Sequence, residues 1–359
     1  MNQKQDGYIL LLTVMIISIS VFLVTYISNK SLVYISFSKS VINRQQATVL
    51  AWGALQIATS QLQRVGLKEQ ENESDKSDKQ NDKKPLSWEQ KFLEAFFPSL
   101  HQWQTFKLKE GVEGIDATIR ICLSCEEGKI NLNNIYDFKE KKFNNGAEKF
   151  LQDIFGRIEK KIGIQNLFAA FTTFLKERQY NIQDVTELLN IKELHYFKNR
   201  IFYYPTIDDS TIADGKKVNK QEKHLYLSDI FTTWPKKETL QPLLLSSSLQ
   251  LLLEFKGENN IESRKNMIEQ QLEHFKPKLD LKTDWGLLFI PIYGIPWEAV
   301  PEGVRNKFNA TFEPAIFSVV VATTVGEVTQ RLLALLERVP TSQDDRYQFH
   351  VKLRKVYWL

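Results

Sequence analysis

Between Asp6 and Lys30 the sequence has no ionisable group apart from Tyr8 and Tyr26. Residues 8–28, YILLLTVMIISISVFLVTYIS, are rich in Leu, Ile and Val. About 20 such residues at 1.5 Å each cross a hydrocarbon core of roughly 30 Å, so the run reads as a membrane span. It begins after only seven residues, and no small-x-small cleavage signature follows it, so the span is expected to be retained.

The helix is not expected to stop at the membrane. No proline precedes Pro85, and Ala47, Ala51, Leu55, Ala58, Leu62 and Val65 step by fours and threes, one apolar stripe on a continuing helix. The reading is one helix of about 55 residues, on the order of 80 Å, oily in its first half and amphipathic in its second.

The remaining chain has room for two domains, with 359 residues of which 43% are apolar. Its 47 basic and 43 acidic residues leave a mild net charge of +4, spread along the chain, which gives no reason to expect a nucleic-acid partner. Residues 68–84, KEQENESDKSDKQNDKK, contain no apolar side chain and read as a solvated, disordered loop. A short helix follows at residues 87–97, with Ser87 as N-cap and Gln90 in the capping-box position. Phe106 and Leu108, a turn between Gly111 and Gly114, and the alternation of Ala117, Ile119, Ile121 and Leu123 predict a hairpin able to lie against the long helix. It runs into CEEGKINLNN, residues 125–134, whose Asn side chains suit local capping.

From Ala147 to about Lys276 nearly everything reads as helix. Stripes occur at Phe150, Leu151, Ile154 and Ile158, at Leu167, Phe171, Phe174 and Leu175, and at Val185, Leu188, Leu189 and Ile191. Residues 206–224 form another polar loop, and residues 240–255 read as a Leu-dense helix. The pattern returns to β with Phe317, Val319 and Val321, a turn at Gly326, and an alternating segment at residues 347–359. Between them, EVTQRLLALLERV is a helix by propensity alone.

Candidates for chemistry are few. His101, His195, His224, His274 and His350 are scattered, and there is no nucleophile elbow, phosphate loop or dinucleotide-binding glycine pattern. Cys122 and Cys125, the only cysteines, are spaced C-x-x-C. Three readings stay open. A disulfide needs a tight turn after Cys122, because residues three apart in a strand face opposite ways. Two inert thiols are the second, and a redox or half-zinc site without a second pair or spaced His is the third.

The short leader ending in Gly7, the retained apolar segment and the helix that leaves the membrane to meet a globular domain resemble a type IV prepilin. The resemblance implies cleavage between Gly7 and Tyr8 by a prepilin peptidase, with N-methylation of Tyr8. Two departures are informative: Asp6 stands where such leaders carry a basic residue, and Leu12 stands at the fifth mature position, usually Glu. An unpaired carboxylate in an apolar bundle costs several kcal/mol, so a subunit with nothing ahead of it gains by losing it. That pattern, the acidic-Gly-Lys-hydrophobic-Asn stretch and the long helical region resemble the K-type minor pseudopilins of type II secretion systems.

The fold this implies is α+β: a type IV pilin-like long N-terminal helix packed on an antiparallel sheet, with a large all-α domain inserted in the sheet. The corresponding segments are a leader at 1–7, a transmembrane part at 8–29 and a periplasmic helix at 30–66. A polar loop at 67–86 precedes the first sheet part at 87–133, the inserted helical domain at 134–278 and the second sheet part at 279–359. The resemblance also makes EVTQRLLALLERV a strand. It implies a non-enzymatic subunit of the bacterial inner membrane with its bulk in the periplasm, although Lys30, Lys39 and Arg44 beyond the span do not themselves favour that orientation. The implied partners are I- and J-type minor pseudopilins and the peptidase. Relatives bind calcium, for which Asp208, Asp209 and Asp214 are oxygen-donor candidates, although FLKERQ occupies the place of the usual acidic stretch. An accessory minor pilin of a type IV pilus, and a tethered periplasmic enzyme or binding module, are the alternatives.

Overall fold

A computed structural model describes residues 3–64, 88–144, 146–203, 224–235, 240–255, 261–272, 284–308, 312, 314–340 and 349–359. Helix α1, Gln3–Arg64, is continuous over 62 residues, somewhat longer than expected. Its second half buries Ala47, Ala51, Ala54, Leu55, Ala58 and Leu62, the expected stripe with Ala54 added; Val65, its last expected member, lies outside the described residues. Four of these are alanines, so the helix backbone approaches what it packs on.

That surface is a five-stranded antiparallel sheet. After helix α2, Trp88–Phe96, come β1, Trp103–Leu108, and β2, Ala117–Cys125, joined through a one-turn helix at Glu110–Glu113. The strands β3, Ile316–Val325, β4, Val328–Pro340, and β5, Phe349–Trp358, complete it in the spatial order β1-β2-β3-β4-β5. The pairing of β2 with β3 aligns Ala117 with Val325 and Cys125 with Phe317. Ile119, Ile121, Leu123, Phe317, Val319, Val321, Leu332, Ala334 and Leu336 share a core with α1. Cys122, Val320 and Leu333 face the other way and meet Phe202 and Tyr203.

The helix-prone stretch around Leu332–Leu336 is a strand because β4 pairs on both edges and is buried on both faces. Two ladders and two apolar faces outweigh a propensity difference of a few tenths of a kcal/mol per residue.

At one end of the packed zone the hairpin between β3 and β4 meets α1. Thr323 Oγ1 donates to the Ala47 carbonyl over 2.7 Å. Gly326 sits at φ +56 with Asn43 so close that a Cβ would stand 2.7 Å from its Nδ2.

Everything between Cys125 and Ile316 is inserted in the sheet. Helices α3, Ala147–Ile162, and α4, Leu167–Glu177, stack through Phe155 and Phe171, whose ring centres are 4.7 Å apart. The first two expected stripes are buried apart from Phe174, which packs at the edge. Residues of the third lie on tighter 3-10 turns, Val185–Asn190 and Lys192–Asn199, rather than α-helix. The Leu-dense stretch is not one helix either: Pro242 opens a 3-10 turn, and Ser246, whose Oγ accepts from Leu249 N, caps a new helix α5, Ser247–Leu252.

Helices α6, Ile261–Leu272, and α7, Asp284–Tyr293, follow. The sheet therefore resumes at Ile316 and not at residue 279, because α7 spaces Leu288, Phe289, Ile292 and Tyr293 to bury them in the helical core. Ser87 and the polar loops at 68–84 and 206–223 lie outside the described residues.

Replacing Ala51, fully buried, by Leu should cost about 1–3 kcal/mol through overpacking. Val49→Leu, on an exposed position of the same helix, should leave the thermal midpoint in detergent unchanged.

Candidate functional site

Among the described residues, the side chains of Leu11 to Ile42 on α1 are exposed. Its described part is long and apolar enough to cross a membrane, and none of the apolar window is buried. Its hydroxyls do not stand unpaired: Ser18 Oγ donates to the Val14 carbonyl and Thr25 Oγ1 to the Val21 carbonyl, each over 2.8 Å. Backbone back-bonding of this kind lets Ser and Thr sit in an apolar medium. Gly7 and Tyr8 lie within the helical backbone, and Leu12, 43% exposed, presents its side chain outward.

The cysteine question resolves by geometry. Strand β2 runs straight to Cys125, with no turn after Cys122, so the thiols point to opposite faces of the sheet and both are free and buried. Burial raises both thiols well above their ordinary range. They form neither a disulfide nor an exposed redox pair. Asp208, Asp209 and Asp214 lie outside the described residues, and among the described residues no group of three or more His, Cys, Asp or Glu side chains is placed to hold a metal ion.

What the sequence reading missed is the charge buried where the insertion leaves the sheet. Glu126, Lys129 and Asp229 are at most 5% exposed. Lys129 Nζ pairs with Glu126 Oε1 and donates to Ser318 Oγ over 3.2 Å, while Thr232 Oγ1 donates to Glu126 Oε2 over 2.5 Å. Asp229 Oδ2 accepts from Ser248 N at 2.6 Å, and burial pushes its carboxyl up against the opposing pull of Lys129. Glu127 accepts from Ala315 N at 3.1 Å and Ile316 N at 2.9 Å, which fastens the end of β2 to the start of β3. Burial moves its carboxyl up to about 7, and the Cys125 thiol and backbone N–H groups partly offset this.

The Asn residues of the same stretch do cap backbone, as expected. Asn131 Oδ1 accepts from Asn133 N, while Asn133 exchanges bonds with the Ile182 backbone at 2.8 and 2.9 Å. The acidic-Gly-Lys pattern was the available signal for the ion pair. Asp229 gave none, because it is the single charged residue in the largely apolar stretch 225–234.

This cluster is a structural junction. Its polar side chains are satisfied mainly by the protein itself, and they bind the helical insertion to the sheet. Gly128 marks the tightest approach, since a Cβ there would stand 1.8 Å from the Leu244 carbonyl oxygen.

No protein-family model matches the chain. No curated protein matches it. Among solved structures, the chain is similar to a chain in the crystal structure of the GspK-GspI-GspJ complex from the enterotoxigenic Escherichia coli type 2 secretion system. The identity is 12% and the TM-score 0.46, over 89% of this chain and 98% of that one.

Gly128→Ala should destabilise the protein by about 3 kcal/mol, the upper end for overpacking, because the obstacle is backbone. Gly303→Ala, whose nearest neighbours are 3.9 Å away, should be tolerated in the same denaturation series.

A second expectation concerns His101, buried with its Nδ1 3.1 Å from Ser124 Oγ. Burial, then the charges of Arg264 and Lys129, lower its pKa from 6.5 to about 3. The folded state thus binds this proton less well, so His101 contributes stability that is full above pH 6.5 and lost as pH falls towards 3. His101→Asn keeps a residue suited to the positive φ of 61 and should flatten the fall in melting temperature between pH 6.5 and 4.

Proposed function

We propose that the chain is a minor pseudopilin of the K type, held in the inner membrane by α1, processed after Gly7, and placed at the tip of a type II secretion pseudopilus, where it nucleates or caps assembly. It acts by geometry and performs no catalysis.

The observation that carries this reading is where the insertion sits. Ala117 and Val325 pack on Ala47, at the end of the sheet nearest the apolar half of α1. Cys125 and Phe317, between which the insertion leaves and returns, are at the other end of a nine-residue strand. At about 3.3 Å per residue that is on the order of 27 Å further from the membrane. A large helical body on that end of the sheet obstructs any subunit that would stack above it. Leu12 supports the same placement, since a carboxylate there would have no amine ahead to pair with.

The exposed first half of α1 supplies the other requirement, an element that a lipid bilayer covers before assembly and sister helices cover afterwards. I- and J-type minor pseudopilins are the partners this reading requires, with assembly driving folded proteins across the outer membrane.

The test is intact-mass measurement and N-terminal sequencing of the protein recovered from membranes. The expected mature chain begins at N-methylated Tyr8, and Gly7→Ala should abolish its formation. An uncut Met1 terminus in cells containing the peptidase would overturn the reading in favour of a tethered periplasmic module. Correct processing with incorporation into a retractable surface pilus would instead favour the accessory minor pilin.

A further inference from the structure

One buried acid at the root of the insertion is held by neutral groups. Glu127 stands on a 3-10 turn, Glu126–Gly128, directly after β2, and is 6% exposed. Its carboxyl group joins the end of β2 to the start of β3. Oε1 accepts from Ala315 N and Ile316 N, while Oε2 accepts from Ile316 N at 3.2 Å and from the Cys125 thiol at 3.1 Å. Its backbone carbonyl accepts from Gln241 N of the insertion at 2.8 Å. The chain thus leaves the sheet and returns to it across one side chain.

The charged groups around this corner are engaged elsewhere or reach it only by backbone. Lys129 pairs with Glu126 on the same stretch, and Asp229 and His101 feel the charge of Lys129 from the insertion and from the segment before β1. Arg338 of β4 donates its backbone N–H to the Ala315 carbonyl over 2.7 Å, and its guanidinium lies over the rings of Phe92 and Phe349. Lys307 is one contact further on, where Leu240 N donates to its carbonyl. Among the described residues Glu127 forms no ion pair.

A carboxylate removed from water and met only by neutral donors favours its neutral form when the lost hydration is the larger effect. That is the case at Glu127: burial outweighs the thiol and the backbone N–H groups and moves the carboxyl from 4.5 up to about 7. The Cys125 thiol does not compete for the charge, because burial and then the Glu127 charge raise it well above its ordinary range.

We propose that Glu127 and Cys125 form a proton-operated latch between the sheet and the helical insertion, held closed by a neutral Glu127 and released more readily when Glu127 is charged. The proton comes from water and settles on Oε2, since Oε1 already serves two backbone N–H groups. The carboxyl O–H then donates to Cys125 Sγ, which reverses the bond in which the thiol donates to the carboxylate. The contacts of Oε1 with Ala315 N and Ile316 N persist in both forms. The latch belongs to this chain's own seam and does not depend on the pseudopilin reading.

The direction of the pH effect follows from linkage. Opening the seam lets water reach Glu127 and returns it to its ordinary 4.5, so the closed seam binds the proton more tightly than the open one. This contribution is full below pH 4.5 and is lost as pH rises through about 7. It runs opposite to that of His101, which is already full above pH 6.5, so the interval from pH 6.5 to 8.5 isolates Glu127.

The test uses the full-length chain in detergent. Infrared spectroscopy reads the S–H stretch of the two buried thiols, and Cys125→Ser assigns the band of interest. The Cys125 band should shift with a midpoint near pH 7, the Cys122 band should not, and Glu127→Gln, which keeps an accepting oxygen but cannot titrate, should abolish the shift. In hydrogen exchange corrected for the intrinsic rate, opening of the peptide spanning Ala315 and Ile316 should increase about fourfold between pH 6.5 and 8.5 in the wild type and stay constant in Glu127→Gln. If Glu127→Gln does not fold, the wild-type S–H titration decides alone. A Cys125 band unchanged between pH 5.5 and 8.5 would overturn the latch, as would a pH-dependent opening that persists in Glu127→Gln.

Discussion

The contact on which the whole molecule depends is the close seat of α1 on the sheet. Ala47, Ala51, Ala54 and Ala58 are all but fully buried, with Leu55 and Leu62 filling the space between them and the strands. Alanine at the contact lets the helix axis sit low over the sheet, so a small change of volume there is felt across β2, β3 and β4 together. The Thr323 bond to the Ala47 carbonyl and the Gly326 turn against Asn43 fix where along the helix the sheet begins. Moving that point would change how far the globular body stands from the apolar half of α1.

The second dependence lies at the opposite end of the sheet. An insertion of this size must hold a defined angle to the strands that carry it, and an apolar seam alone permits sliding. Here the seam holds directed bonds: Lys129 between Glu126 and Ser318, Thr232 onto Glu126, and Glu127 onto the first backbone groups of β3. Buried pairs of this kind add little net stability relative to apolar residues of the same shape, yet breaking one partner is expensive. They therefore act chiefly to choose one docking geometry. A second tie runs from the far edge, where Lys355 of β5 reaches Asp184 of the insertion over 3.0 Å.

Much of the architecture was legible because its signals are periodic. The stripe from Ala47 to Leu62 and the alternation from Ala117 to Leu123 each follow from a single period, and both are buried as read. Residues 328–340 were not legible from propensity, since RLLALLE suits a helix; only the two flanking ladders make it a strand. The boundary at residue 279 failed for a related reason. Helix α7 is apolar nearly all round, and such a run carries no period that separates it from a buried strand. The cysteine pair depended on whether β2 continued through Ser124, which no local pattern decides. Asp229 and His101 were invisible because their partners, Ser248 and Ser124, are 19 and 23 residues away.

The two halves of α1 meet opposite physical demands with one backbone. From Ala47 onward the helix hides its apolar stripe within its own chain; before it, Leu32, Val33, Tyr34, Ile35 and Phe37 remain exposed although Lys30 already marks the end of the uncharged run. Lys30 lies over the Tyr26 ring, 5.0 Å from its centre, a contact that steadies the charge at the end of the uncharged run. The segment between Lys30 and Asn43 is therefore neither part of the uncharged run nor covered by the sheet. Its apolar residues contribute nothing to the stability of the isolated chain. On the proposed function they become favourable when other helices stand beside them, which would place the free energy of assembly in a stretch that folding leaves unused.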